Sequence, residues 1–172
     1  MKNRKYFQIS ILISWLIFTF IGFMYFTFER LSEFDPNGVL KNISRNQFTQ
    51  SFLDEKIAMS GSNTIIHFYQ TDCACNNSSE THIQQLNDVA TKNNYSFVSL
   101  EVDNALLVPS TPSVAIINET NELVYYGPYG EGLGCSQTNG FALTVMNNHL
   151  LGYSANLIVQ SAKGCYCNNN VS

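Results

Sequence analysis

Between Tyr6 and Phe28 the sequence contains no charged residue, it has no alanine before Ala58, and it has no cysteine before Cys73. The uncharged run, dominated by Ile, Leu, Phe, Trp and Met from Ile9 onward, meets the roughly 20 apolar residues that a helix needs to cross a hydrocarbon core. It exceeds the apolar stretch of about 7 to 15 residues found in cleaved signal peptides. The missing alanine removes an alanine-type cleavage site, and the missing cysteine removes a lipid-modified cysteine beside the run. An uncleaved anchor is the expectation. Basic residues are scarce as well. Nine Lys and Arg, scattered along the chain, stand against thirteen Asp and Glu for a net charge of -4. No basic surface is available to neutralise a phosphate backbone, so nucleic-acid binding is not expected. With 172 residues, 45% hydrophobic and 13% charged, the chain can supply one membrane segment and one compact domain; two large domains do not fit.

Lys2, Arg4 and Lys5 precede the apolar run, and Glu29, Arg30, Glu33 and Asp35 follow it. The positive-inside bias puts the N-terminus in the cytoplasm and the rest beyond the membrane, in a bacterium the periplasmic face of the inner membrane. The expected division is a cytoplasmic stub and transmembrane anchor over residues 1–30, a tether over 31–43, and an extracytoplasmic domain with a cysteine-bearing tail over 44–172. All five cysteines, Cys73, Cys75, Cys135, Cys165 and Cys167, fall on the outer side, where disulfides form and persist. Two bonds among five cysteines allow five choices of leftover and three pairings of the rest, so spacing does not select among fifteen connectivities.

Past the anchor, Asp35-Pro36-Asn37-Gly38 is a turn-forming cluster that stops the helix. Ser44 and Gln47 fit a capping box, and Phe48, Phe52 and Ile57 recur near helical spacing, which predicts a short amphipathic helix over 45–58 closed by Gly61. The β-branched and aromatic run 64–69 predicts a buried strand. A second helix is predicted from Ser78 to about Asn93, with Ile83, Leu86, Val89 and Ala90 on one face. A strand over 96–102, a loop carrying Pro109 and Pro112, a hairpin of 113–118 and 122–126, and a closing helix over 141–151 follow. A strand-like run at 155–160 leads into an Asn-rich end expected to fray.

The order of strand, cysteine turn, helix, strand, proline loop, hairpin and helix resembles the thioredoxin fold. In that family a strand of the type Val-Asp-Phe-Trp runs into Cys-x-x-Cys at a helix N-terminus, with the first cysteine six positions after the Asp. Here Ile66-His67-Phe68-Tyr69 puts His67 at that interval from Cys73. Thr111-Pro112-Ser113-Val114-Ala115-Ile116 is similar to the family's cis-proline and first hairpin strand. The chain also resembles a group of membrane-anchored bacterial thioredoxin-like proteins that share a late Gly-Cys-x-Cys, here Gly164 to Cys167. The implied fold is α/β, a shortened thioredoxin-like fold with a mixed sheet, a terminal β-hairpin and helices on both faces. Three departures stand out. The second family cysteine would fall at Asn76, whereas Cys75 makes a Cys-Ala-Cys here, and Asp72 replaces the Trp that often precedes the motif. Only residues 104–110 separate the third core element from the Thr-Pro pair, so one family helix is missing.

The resemblance implies a thiol-disulfide oxidoreductase or isomerase acting on protein thiols or disulfides outside the membrane, with a redox partner and no cofactor. Cys73 is the expected nucleophile, since a thiolate at a helix N-terminus is stabilised by free N–H groups and the macrodipole. Asp72 opposes this by like charge. Cys75 is the expected resolving thiol, and a Cys73–Cys75 bond would close a very small, easily reduced ring. His67 stands where the family carries a proton-accepting aspartate; the alternative is a core histidine bonded to its surroundings. A cis Pro112 would set Thr111 backbone groups beside the cysteines and offer a substrate chain a strand edge. Cys165 and Cys167 could fold back over the first pair as a relay, or be stapled to Cys135. A catalytically silent binding module with structural disulfides is the second reading. A soft-metal site for Cu(I) or Zn(II) on the two Cys-x-Cys pairs, with His82 and His149 as lesser additions, is the third, although the spacing does not match structural zinc sites. Tyr125, Tyr126 and Tyr129 are expected to pack the hairpin end, or to line a groove near Cys135.

Overall fold

The computed structural model describes residues 2–28, 31–54, 61–102, 107–132, 140–154 and 156–169. Helix α1 (Lys2–Phe28) contains the stretch Arg4–Phe26, long and apolar enough to cross a membrane, with none of it buried against the rest of the protein.

The segment expected as a tether is packed instead. Strand β1 (Ser32–Glu33) pairs antiparallel with β8 (Lys163–Gly164), and the Phe34 N–H donates to the Ala162 carbonyl at 3.0 Å. Asp35 opens a turn through Gly38, whose φ of +66° suits glycine. The Asp35 carboxylate then accepts the N–H groups of Val39 and Leu40 at 2.8 and 2.9 Å, fixing a 3-10 turn over Val39–Asn42. Phe34 and Leu40 are buried, so the segment contributes core rather than reach. Helix α2 (Arg45–Asp54) begins with the expected capping box: the Ser44 N–H donates to Gln47 Oε1 at 3.1 Å and the Gln47 N–H donates to Ser44 Oγ at 3.3 Å. The last turn expected there, 55–58, lies outside the described residues.

A five-stranded mixed sheet forms the centre. Strand β2 (Thr64–Tyr69) pairs in parallel with β3 (Ser96–Glu101) and antiparallel with β5 (Ser113–Ile117). Strand β5 forms a hairpin with β6 (Leu123–Pro128), and β6 pairs in parallel with the short β7 (Leu157–Ile158), giving the order β3-β2-β5-β6-β7. Helix α3 (Asn76–Lys92) joins β2 to β3. Strand β4 (Ser110–Thr111) precedes the hairpin, and helix α4 (Phe141–Leu150) follows it. The tail ends in β9 (Cys167–Asn168), paired antiparallel with β4.

Alternation along β2 divides the core into two layers. Ile65 packs with Leu86 and Ala90 of α3 and with Met146 of α4, while Ile66 and Phe68 pack with Phe34, Leu40 and Phe48 on the opposite face. Helices therefore cover both faces, and β2, buried on both, reads as a continuous apolar run. Within the strand-like run expected at 155–160, Leu157–Ile158 pair with β6 and the Val159 N–H donates to the Tyr126 carbonyl at 2.9 Å, while residue 155 lies outside the described residues. The Asn-rich end is held through Asn169, which is buried and donates its N–H to the Pro109 carbonyl at 2.8 Å; 170–172 lie outside the described residues.

Candidate functional site

Strand β2 delivers the chain into a tight turn ahead of α3. The Cys73 N–H donates to the Gln70 carbonyl at 3.1 Å, and the Asn76 N–H donates to the Cys73 carbonyl at 3.2 Å. Cys75 caps the helix, its carbonyl accepting the Ser78 N–H at 3.1 Å. Both sulfur-bearing residues are buried, Cys73 at 6% and Cys75 at 8% exposure.

Each is bonded to the tail, not to the other. Cys73 joins Cys167 and Cys75 joins Cys165, with Cα separations of 5.9 and 5.5 Å, inside the range a disulfide prefers. The bond expected between Cys73 and Cys75 is thus not the one formed. A ring across residues two apart is cramped, whereas β8 and β9 bring two tail cysteines to ordinary bonding distance. Both tail cysteines are engaged in these two bonds, and the alternative staple of the tail falls on Cys135, which lies outside the described residues.

The proline loop meets the cysteines. The Thr111–Pro112 peptide is cis, and the Thr111 carbonyl oxygen lies 3.8 Å from Cys73 Sγ. As a disulfide sulfur Cys73 has no hydrogen to donate; on reduction the thiol would have an acceptor there. Thr111 also donates its hydroxyl to Gln70 Oε1 at 3.0 Å, tying the loop to the end of β2. Thr111 stands opposite Cys167 in the β4–β9 ladder. An open cleft beside this point is lined by Gln70, Asp72, Cys73, Glu101 and Cys167, with Thr71 hydrogen-bonded to the Glu101 carboxylate. Cys75 and Cys165 are not among its lining residues.

The Cys73, Cys75 and Cys167 sulfurs all lie within 4.8 Å of one another. Cysteine binds a soft metal as its thiolate, so this set is a ligand group in the reduced protein and not in the doubly bonded one. His82, on α3, is buried rather than solvated, and His149 is partly buried on α4. Neither belongs to the sulfur cluster.

His67 lies on the α3 side of β2. Its Nε2 is 2.8 Å from Asn87 Oδ1 and its Nδ1 is 2.5 Å from the Tyr129 hydroxyl. An amide oxygen can only accept, so the neutral ring carries its proton on Nε2 and accepts from Tyr129 at Nδ1. Burial pushes the imidazole pKa below its ordinary value, with the Asn87 bond offsetting part of the effect. Proton transfer to a thiol would require one of these bonds to open. Sequence reasoning missed both partners, because Asn87 and Tyr129 are separated from His67 by 20 and 62 positions. Tyr129 otherwise packs with Tyr125 in the layer under α4, and Tyr126 points to the other layer. Burial raises the phenol pKa of both Tyr125 and Tyr126.

The mixed α/β sheet and the cysteine-linked tail define a small domain preceded by an apolar helix. Residues 42–169 match the model of a domain family of unknown function, DUF6436, and the chain belongs to that family. No curated protein and no solved structure matches the chain.

Proposed function

We propose that this is a shortened thioredoxin-like domain, held on the outer side of a membrane by α1, that works as a thiol-disulfide oxidoreductase or isomerase on protein thiols and disulfides. One observation carries the reading. Cys73, at the α3 N-terminus, is bonded to Cys167 on a strand that pairs antiparallel with Thr111, next to cis Pro112. That is the arrangement a mixed disulfide takes when an extended chain lies along a strand edge beside a site cysteine. The strand order, with β2 running into the cysteine turn and β5 following the proline, supports the same reading.

In the reduced protein the Cys73 thiolate, favoured by the positive end of the α3 macrodipole, attacks one sulfur of a substrate disulfide. The other substrate sulfur leaves as a thiolate and takes a proton from water. The Cys167 thiolate then attacks Cys73 Sγ, restoring the Cys73–Cys167 bond and releasing the second substrate thiol. The substrate gains the two electrons and two protons that the protein dithiol loses, and the reverse sequence oxidises a substrate dithiol. If a substrate thiolate displaces Cys73 first, the outcome is isomerisation with no net electron flow. Net turnover in either direction needs a dithiol or disulfide partner on the same side of the membrane. The resolving role passes from Cys75 to Cys167, and His67 is given no proton-transfer step.

The test is a trap. Full-length Cys167→Ser protein, incubated with a scrambled disulfide-bonded model protein, should accumulate a mixed disulfide through Cys73, and Cys73→Ser/Cys167→Ser should not. Absence of any adduct to Cys73 would sink the proposal. The burial of Cys73 and Cys75 favours the silent binding module as a second reading. Under that reading Cys73 would resist thiol labelling after mild reduction without denaturant.

A further inference from the structure

We propose that the two disulfides have separate jobs: Cys75–Cys165 is a fixed clamp, and Cys73–Cys167 is a latch that keeps residues 167–169 as a built-in plug in the slot of a cysteine-bearing partner polypeptide. The inference rests on the oxidoreductase reading and adds the occupant of the site and the feature it selects.

The tail divides at Tyr166. On the near side, β8 pairs with β1, the Gly132 N–H donates to the Lys163 carbonyl at 2.9 Å, and the Cys165 N–H donates to the Gly132 carbonyl at 3.1 Å. Tyr166 is buried, stacks edge-on against Phe34 with ring centroids 5.5 Å apart, and donates its hydroxyl to the Gly130 carbonyl at 2.6 Å. Its own carbonyl accepts the Ser32 hydroxyl at 2.8 Å. This half is core. On the far side, the backbone of Cys167 pairs with Thr111, and the Asn169 N–H donates to Pro109. The surface cleft reaches the Cys73–Cys167 bond and not the Cys75–Cys165 bond. Opening the latch frees the β4 edge while the clamp, two residues away, keeps Cys167 at high effective concentration for its return.

The plug also reports what the slot reads. The Ser110 hydroxyl lies 2.6 Å from the Phe34 carbonyl and 2.8 Å from Asn168 Oδ1, and both oxygens accept from it. The slot therefore takes an extended segment antiparallel to β4, with its cysteine opposite Thr111 and a side-chain acceptor at the next position. An aliphatic side chain there cannot accept from Ser110.

The experiment uses full-length Cys135→Ser/Cys167→Ser protein in detergent, leaving Cys73 as the unbonded thiol. Peptides Gly-Cys-Asn-Asn, Gly-Cys-Asp-Asn and Gly-Cys-Leu-Asn, each activated as a thionitrobenzoate mixed disulfide, are presented to it, and each rate is divided by that peptide's rate with free cysteine. The Asn and Asp peptides are each expected to react at least tenfold faster than the Leu peptide. Equal normalised rates would overturn the slot while leaving the oxidoreductase reading intact; normalised rates below one for all three would overturn both. In parallel, hydrogen exchange on Cys73→Ser should speed the Asn169 amide at least tenfold and leave the Phe34 and Cys165 amides protected. Common loss of protection, or no change at Asn169, would overturn the division of the tail.

Discussion

His67 is neutral in the folded domain because burial penalises the imidazolium more than its bond to Asn87 favours it. In the unfolded chain the same ring titrates near about 6.5. Its contribution is therefore fully present above that value and is lost as pH falls from about 6.5 toward the lower folded pKa, where the unfolded chain binds the extra proton. The denaturation midpoint should drop across this window, and His67→Gln should flatten that part of the profile. A profile as steep in the variant as in the parent would remove His67 as the cause. At the mouth of the cleft, the exposed carboxylates of Asp72 and Glu101 repel an anionic thiol. Asp72→Asn/Glu101→Gln should raise the rate of disulfide exchange with glutathione by about twofold to threefold at low ionic strength, with the gain vanishing in high salt. Stopped-flow thiol release checks both parts.

At the scale of elements, Asp35 organises the segment after β1 rather than ending the anchor, since α1 runs to Phe28 and β1 already intervenes. Its carboxylate serves two backbone N–H groups, so Asp35→Ala should cost about 1 to 2 kcal/mol in a denaturant titration and loosen the packing of Phe34 and Leu40. Local signals carried much of this architecture. The capping box at Ser44, the run that became β2, the hairpin around Glu119-Thr120-Asn121 and the apolar face of α3 each depend on residues within a few positions. The positive φ of Asn121 and its N–H bond to Asn118 are what that turn sequence asks for. The two-residue strands β1, β4, β8 and β9 were not legible, since two residues carry no period and the partners lie far away, as with Ser32 and Tyr166, 134 positions apart. Hence Phe34 and Leu40 read as tether rather than core. The motifs pointed to one neighbourhood, and Cys73, Thr111 and Pro112 do come together. The pairing of the cysteines was not legible, because it is fixed by the register of β9 on β4 and of β8 on β1.

For the whole molecule, the two bonds are nested, spanning 94 and 90 positions. Either alone closes the long loop, worth about 4.6 kcal/mol in the chain-entropy relation, and the second then adds only a ring through the two Cys-x-Cys turns, worth about 2 kcal/mol. Removing one bond, as in Cys73→Ser or Cys75→Ser, should cost about 2 kcal/mol, while losing both should cost about 6 to 7 kcal/mol. Denaturation followed by circular dichroism would read this non-additivity, and simple addition of the single costs would mean that the nesting has no energetic weight. The same nesting lets one bond open without releasing the tail. That inequality is measured most directly by a glutathione redox titration of the full-length protein, with each bond followed by mass spectrometry. The expected result is a Cys73–Cys167 bond that reduces above thioredoxin's potential of about -270 mV and a Cys75–Cys165 bond that persists below about -300 mV. Two bonds that both persist below about -300 mV, or a recovered Cys73–Cys75 bond in the oxidised protein, would contradict it.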